Sequence, residues 1–240
     1  MKIIRTGTSA DAGVHAARIV AALIRKKPDA VLGLATGSSP LPLYEALARE
    51  DLDLSRVHGF SLDEYLGLGP THKHSYAQVI QREVIDQLGL TPSLIHTPDG
   101  QAPDAAREAL GFDARIRSAG GIDIQILGIG SNGDLAFNEP PSSFTSRTRV
   151  VELADSTRRD NARFFDSLED VPTHAITQGM GTISEARHLL LIVHGQRKAE
   201  AAARAIEGPV TEDFPASMIQ LHPHVTVVLD EAAASQLQHS

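Results

Sequence analysis

The chain has 240 residues, 42% of them hydrophobic and 22% charged, with a formal net charge of -8. That composition is ordinary for a globular protein, and the acidic balance excludes an extended basic face for nucleic acid while leaving room for a local anion pocket. The absence of cysteine excludes disulfides, thiolate catalysis and thiolate metal sites.

No apolar run approaches the ~18 residues of a membrane span. The N-terminus lacks a signal-peptide core, so a cytoplasmic protein is expected. Lys2 to Arg5 is a short strand, and Ser9 to Lys27 reads as a helix with Ser9 as its N-cap, ended by Pro28 and Asp29. Ala30 to Ala35 is a β-rich run followed by Thr36-Gly37-Ser38-Ser39-Pro40 and a helix from Leu41 to Arg49. A strand, a glycine and hydroxyl turn, then a helix form the first candidate phosphate site. Backbone N–H groups and hydroxyls there meet the positive end of a helix dipole.

Val57 to Leu62 is the next strand and runs into Asp63-Glu64-Tyr65. Two acids at the end of a buried strand are costly unless used or paired, and local pattern leaves open a helix-capping Asp63 with a solvated Glu64. Gly67 to His74 is a loop, Ser75 to Leu88 a helix, Leu94 to Thr97 a strand and Asp104 to Ser118 a helix.

The strand Ile122 to Leu127 then opens into Gly128, Gly130 and Gly133. Asn132, Asp134, Asn138 and Glu139 follow closely, with a basic pair, Arg147 and Arg149, beyond them. Such a strand, opening into glycines and polar side chains, is how α/β folds build ligand sites at the carboxyl ends of their strands. The alternative is a polar surface loop with turn glycines. Thr148 to Leu153 is extended, and Ser156 to Phe165 is helical, with Arg158, Arg159 and Arg163 along it. A short helix, Thr182 to Ala186, precedes the strand His188 to Val193, which ends in His194-Gly195. Lys198 falls in the first turn of a helix from Gln196 to Glu207, where a cation opposes the dipole unless it is solvated or faces an anion. Phe214 to Leu221, Val225 to Leu229 and Glu231 to Leu237 close the chain as helix, strand and helix.

Strands alternate with helices from end to end, which predicts a single α/β domain over residues 1–240, its sheet mainly parallel with helices on both faces. The histidine pairs His72/His74 and His222/His224 lack an acidic third ligand at useful spacing, so no metal site is expected. GIGSNG has the glycines of a dinucleotide fingerprint, but a proline pair follows where a helix should run. The remaining inventory of carboxylates, amides, Arg, Lys and a TGSS turn suits acid–base chemistry on a phosphorylated small molecule, with no cofactor.

LGLATGSSPLPLYEAL, FSLDEYLGL, LGIGSNGDLAFNEPPSSFTSRTRVVEL, NARFF, HGQRKAEA and EDFPASMIQLHPHVTVVLD resemble, in the same order, the glucosamine-6-phosphate deaminase family. The resemblance spans nearly the full chain. It implies a modified Rossmann-like fold and conversion of D-glucosamine 6-phosphate and water to D-fructose 6-phosphate and ammonia. It further implies Asp63 as the general base between C2 and C1, with Thr36, Gly37, Ser38 and Ser39 around the substrate phosphate. Arg163 and Lys198 match its cationic partners, and Glu139 the carboxylate supporting ring opening. Asn132 stands where some members have Asp and others Asn, and Asp134 where most have the histidine that helps to open the pyranose ring. A close Asp134–Glu139 pair, one of them protonated, would supply that proton; open-chain substrate would bypass the need.

Ser142 and Arg149 match part of the family's allosteric site, but Val151 replaces its lysine and the chain stops at Ser240. Weak or absent activation is therefore expected, in a monomer or small homo-oligomer rather than a hexamer. Two other readings stand beside the deaminase: a lactonase of the same fold, and a sugar-phosphate sensor without turnover.

Overall fold

Among the described residues ten strands are interspersed with helices, and the placement of the site follows from how the strands sort into two sheets. The computed structural model describes residues 1–238, so the end of the chain at Ser240 lies outside them. The strands are β1 (Lys2–Thr6), β2 (Val31–Leu34), β3 (His58–Ser61), β4 (Asp63–Tyr65) and β5 (Ile95–His96). They continue with β6 (Ile124–Leu127), β7 (Arg149–Glu152), β8 (His174–Thr177), β9 (Leu189–Val193) and β10 (Val225–Asp230). Seven of them form one sheet in the order β1-β10-β9-β6-β2-β3-β5, and every pairing in it is parallel.

The central strands VLGL, IQIL, LLLIV and VTVVLD are buried along their whole length. Helices flank a parallel sheet, so its inner strands meet no water and read as continuous apolar runs. The helix Ser9–Lys26 turns Ala12, Ala16, Val20 and Ile24 inward, and it packs closely on the helix Leu41–Leu47. That closeness requires Gly13, where a Cβ would overlap Pro42. Its N-cap is Thr8, which accepts from the Asp11 amide, rather than the expected Ser9.

Topology decides where a ligand can bind. From β2 the chain runs outward to β3 and β5, whereas from β6 it runs the other way, through β9 to β10. Right-handed crossovers then carry the two sets of helices to opposite faces, and the loops after β2 and β6 diverge. β2 and β6 are neighbours, paired Leu32 to Ile124 and Gly33 to Gln125. The crevice over their carboxyl ends is the topological switch point, where open α/β sheets place ligands.

The second sheet was not expected. β4, β8 and β7 pair antiparallel, in that order. DEY is thus not the tail of a strand beginning at Val57. β3 ends at Ser61, the Leu62 amide donates to the Leu34 carbonyl, and the Leu62 carbonyl accepts from the Gln178 amide. One residue therefore hands the chain from the parallel sheet to the antiparallel one. Thr177 lies opposite Asp63 on one side and Arg149 on the other, so the three side chains share a face of the small sheet.

Three predicted helices are also modified. Ser75 to Leu88 begins at Tyr76 with Ser75 as N-cap and contains a π-turn, Gln81–Ile85. Ser156 to Phe165 is α-helical over Asp155–Asn161 and then tightens to a 3-10 turn, Ala162–Phe164. Phe214 to Leu221 is a 3-10 helix over Pro215–Leu221.

Candidate active site

The turn after β2 carries Thr36, Gly37, Ser38 and Ser39, with Gly37 at φ 84°, a left-handed conformation that a side chain would resist. Gly37 and Ser38 are exposed and Thr36 and Ser39 half-buried, so the amides and hydroxyls of the turn are open to an anion. It touches the turn after β6, since a Cβ on Gly128 would crowd the Ser39 side chain. The turn after β9 joins them, where an imidazole nitrogen of His194 lies 3.1 Å from the Ser38 carbonyl. Lys198, half-buried, ends the 3-10 turn Gln196–Lys198 and precedes the helix Ala199–Glu207. The structure thus brings the predicted TGSS turn into contact with the loop that leads to Lys198.

The glycines of GIGSNG make room for side chains. A Cβ on Gly130 would overlap the Asp134 carboxyl, and one on Gly133, at φ 86°, would overlap the Phe214 ring. Backbone hydrogen bonds between Gly130 and Asp134 (3.1 Å) and between Gly133 and Gly130 (3.1 Å) close the loop on itself. Asn132 is exposed, and its side-chain oxygen accepts from the Asp134 amide at 3.1 Å, so it shapes this turn.

Asp63 lies two residues past Ser61, the register partner of Leu34, as Thr36 lies two past Leu34. The base candidate and the phosphate-turn candidate therefore leave adjacent strands at the same height. Asp63 is 6% exposed, and among the described residues nothing hydrogen-bonds its carboxyl. Burial, then the charges of Glu64 and Asp134, push that carboxyl well above the usual carboxylate range.

Its neighbour points the other way, because side chains alternate along a strand. Glu64 accepts from the amides of Tyr65 (2.8 Å), Tyr76 (2.9 Å) and Ala77 (2.7 Å), the last two opening the helix Tyr76–Ile80. Burial still outweighs these bonds and pushes it up to about 7. The helix-capping acid is thus Glu64, not Asp63, and it is buried, not solvated.

Glu139 directs both carboxylate oxygens to the Ala154 amide, at 3.1 and 3.3 Å. Of Asp134 and Glu139, it is Asp134 whose charge adds to that of Glu64 in raising Asp63. Asn138, which sequence reasoning placed in the loop without a role, is fully buried. It donates to the carbonyls of Leu135 (2.9 Å) and Gln178 (2.7 Å) and accepts from Arg149 at 2.8 Å. The basic pair therefore splits: Arg149 serves Asn138, whereas Arg147 binds Asp113 (2.8 Å) and Glu185 (2.6 Å).

Arg163 is exposed, with its guanidinium 4.7 Å from the Phe164 ring centre, and no described interaction joins it to the TGSS turn. Its segment is nonetheless tied to β4: Asn161 donates to the Tyr65 hydroxyl at 3.0 Å and Phe165 packs edge-on against the Tyr65 ring. Of the histidine pairs, His74 stacks on Phe165 at 4.5 Å and His222 bonds to the carbonyls of Ala186 and His224. Among the described residues no group of three His, Asp or Glu side chains is placed to hold a metal.

Fold and site together define a doubly wound α/β protein, with an exposed glycine and hydroxyl turn and a buried aspartate over adjacent strand ends. Residues 6–228 match the family described as glucosamine-6-phosphate isomerases/6-phosphogluconolactonase. A glucosamine-6-phosphate deaminase of Arthrobacter sp. (strain FB24) is 52% identical, over 99% of this chain and 93% of the relative. One of Rhodococcus opacus (strain B4) is 54% identical over the same shares. A solved monomeric glucosamine-6-phosphate deaminase superposes with a TM-score of 0.95 at 43% identity, covering 98% of this chain and 99% of that one. A 6-phosphogluconolactonase from Trypanosoma brucei shares the fold, with a TM-score of 0.80 at 18% identity over 98% of both chains. The chain belongs to the glucosamine-6-phosphate deaminase family. Among the described residues no helix is long and apolar enough to cross a membrane.

Proposed function

We propose that the chain, as a single domain, converts D-glucosamine 6-phosphate and water to D-fructose 6-phosphate and ammonia. The observation that carries this is Asp63, a buried carboxyl with no hydrogen-bond partner among the described residues and an affinity for protons raised by burial above that of an ordinary carboxylate. A general base grows stronger as its pKa rises toward the working pH, and burial moves Asp63 in that direction. Asp63 takes the proton from C2 and returns it to C1, while an amine proton passes to O1, so that C1 becomes CH2OH and C2 an imine; water adds at C2 and expels ammonia, leaving the C2 ketone.

Thr36 to Ser39 and Lys198 hold the phosphate, with Arg163 as a second cation that its tethered segment brings in. Asp134 and Glu139 serve ring opening, with Asn132 holding the Asp134 turn. The charge of Asp134 raises the proton affinity of Asp63, which favours a carboxyl as the donor to the ring oxygen where a histidine is absent. A monomer suits this chain, as the structural relative at 43% identity is a monomeric deaminase.

Ammonia and fructose 6-phosphate are to be measured with purified protein given glucosamine 6-phosphate. Both products should form with the natural chain and be lost with Asp63→Asn. Binding of the substrate with no ammonia released would overturn the deaminase in favour of a sensor.

A further inference from the structure

The turn after β2 and the turn after β9 meet, although β6 lies between their strands. The parallel ladder fixes the strand ends but not the turns beyond them. Both turns contain a glycine in the left-handed region, Gly37 at φ 84° and Gly195 at φ 86°, so neither backbone is held by its own sterics. The His194 ring links them, its Nε2 lying 3.1 Å from the Ser38 carbonyl. A carbonyl only accepts, so Nε2 carries the hydrogen, as it does in one neutral tautomer and in the imidazolium.

The backbone behind the ring is itself anchored. Both oxygens of Asp230 lie 3.0 Å from the Gly195 amide, and one also accepts from Ala233 at 2.8 Å. Asp230 is 8% exposed and ends β10, the neighbour of β9. His194 is therefore held from the sheet side and reaches across to the exposed turn. Because the peptide unit is planar, holding the Ser38 carbonyl also fixes the direction of the Ser39 N–H.

We infer that His194 is a positioning residue for anion binding: it locks the Thr36–Ser39 turn to the loop carrying Lys198, so the two close on a phosphate as one preformed cradle. Preorganisation of this kind improves affinity by removing the ordering cost from the binding step. This rests on the proposed role of the TGSS turn and Lys198, and the test separates the two. Inorganic phosphate is titrated calorimetrically into the natural chain, His194→Ala, His194→Gln and Lys198→Gln, with KM and kcat measured alongside.

His194→Ala should weaken phosphate and raise KM about fivefold, the worth of one hydrogen bond, with kcat held within about twofold. His194→Gln, whose side-chain N–H can reach the same carbonyl, should recover most of the loss. If Lys198→Gln weakens phosphate while His194→Ala does not, the inference about His194 is wrong and the cradle stands. A fall in kcat and melting temperature with KM unchanged would also overturn it, leaving His194 a structural residue. If Lys198→Gln leaves phosphate affinity unchanged, the cradle itself fails and His194 with it.

Discussion

The two ends of the candidate site are built by different means. Thr36 to Ser39 and Lys198 sit on turns that the parallel sheet projects at its switch point, half-buried or exposed, where backbone amides and a cation can meet an anion at little cost. Asp63 and Glu64 sit on β4, a strand that leaves that sheet, and both acids are buried with no cation bonded to either among the described residues. Buried carboxylates without a counter-charge work against folding. The buried acids of β4 are therefore held at the expense of stability, and the exposed turns are not.

The sharpest way to break this contrast is Asp63→Asn. Loss of the base should cut turnover by about 10³-fold or more, while removal of the buried charge raises the melting temperature at neutral pH. A chain this long gains roughly 2–4 °C per kcal/mol. A variant both inactive and less stable would mean that Asp63 holds the fold together.

Asp113 is the opposite kind of buried acid, 4% exposed and bonded to Thr148, Thr182 (3.2 Å) and Arg147 (2.8 Å). Asp113→Ala should therefore lose about 3 kcal/mol in urea unfolding, since it strands three donors. If its cost were within experimental error, partnering would not be what separates the two acids.

Glu64 gives a pH test. Its folded pKa of about 7 exceeds the ordinary 4.5, so the folded chain binds more protons than the unfolded one between those values. Its contribution is then lost as pH rises through that window, by about 3 kcal/mol in all. Glu64→Gln removes that loss and gives up one amide partner. The variant should be less stable than the natural chain near pH 4 and gain on it steadily up to pH 8. A difference that stays flat with pH would show that Glu64 ionises freely.

The smallest shift is in pH dependence: beside any loss of ring opening, Asp134→Asn deletes one of the charges raising Asp63 and should move the acid limb of the pH–rate profile to lower pH. An unmoved limb would mean that burial alone sets Asp63.

The anion end was largely legible in the sequence. A strand, TGSSP and a helix in succession carry their own local physics, and the structure keeps them at Val31–Leu34 and Leu41–Leu47. The proton-transfer end was legible only in kind. Two acids after an apolar run announce an unusual site, yet nothing local tells which faces the crevice and which caps a helix twelve residues on. Arg147 and Arg149 show the same limit, for they are two apart on one strand edge but serve Asp113 and Asn138. The small sheet was missed because its strands are short, and its pairing of Asp63 with Thr177 joins residues distant in the chain.

By itself, then, the sequence determined which segments are helices and buried parallel strands, because periodicity and turn chemistry act within a few residues. It also determined the inventory of acids, amides, hydroxyls and cations from which a site could be made. Only the tertiary structure decided that β4 would leave the main sheet, that Glu64 would close a helix while Asp63 stayed unbonded, and that His194 would reach the Ser38 carbonyl. Those outcomes depend on desolvation and on partners brought from far along the chain, and both exist only once the sheets have assembled.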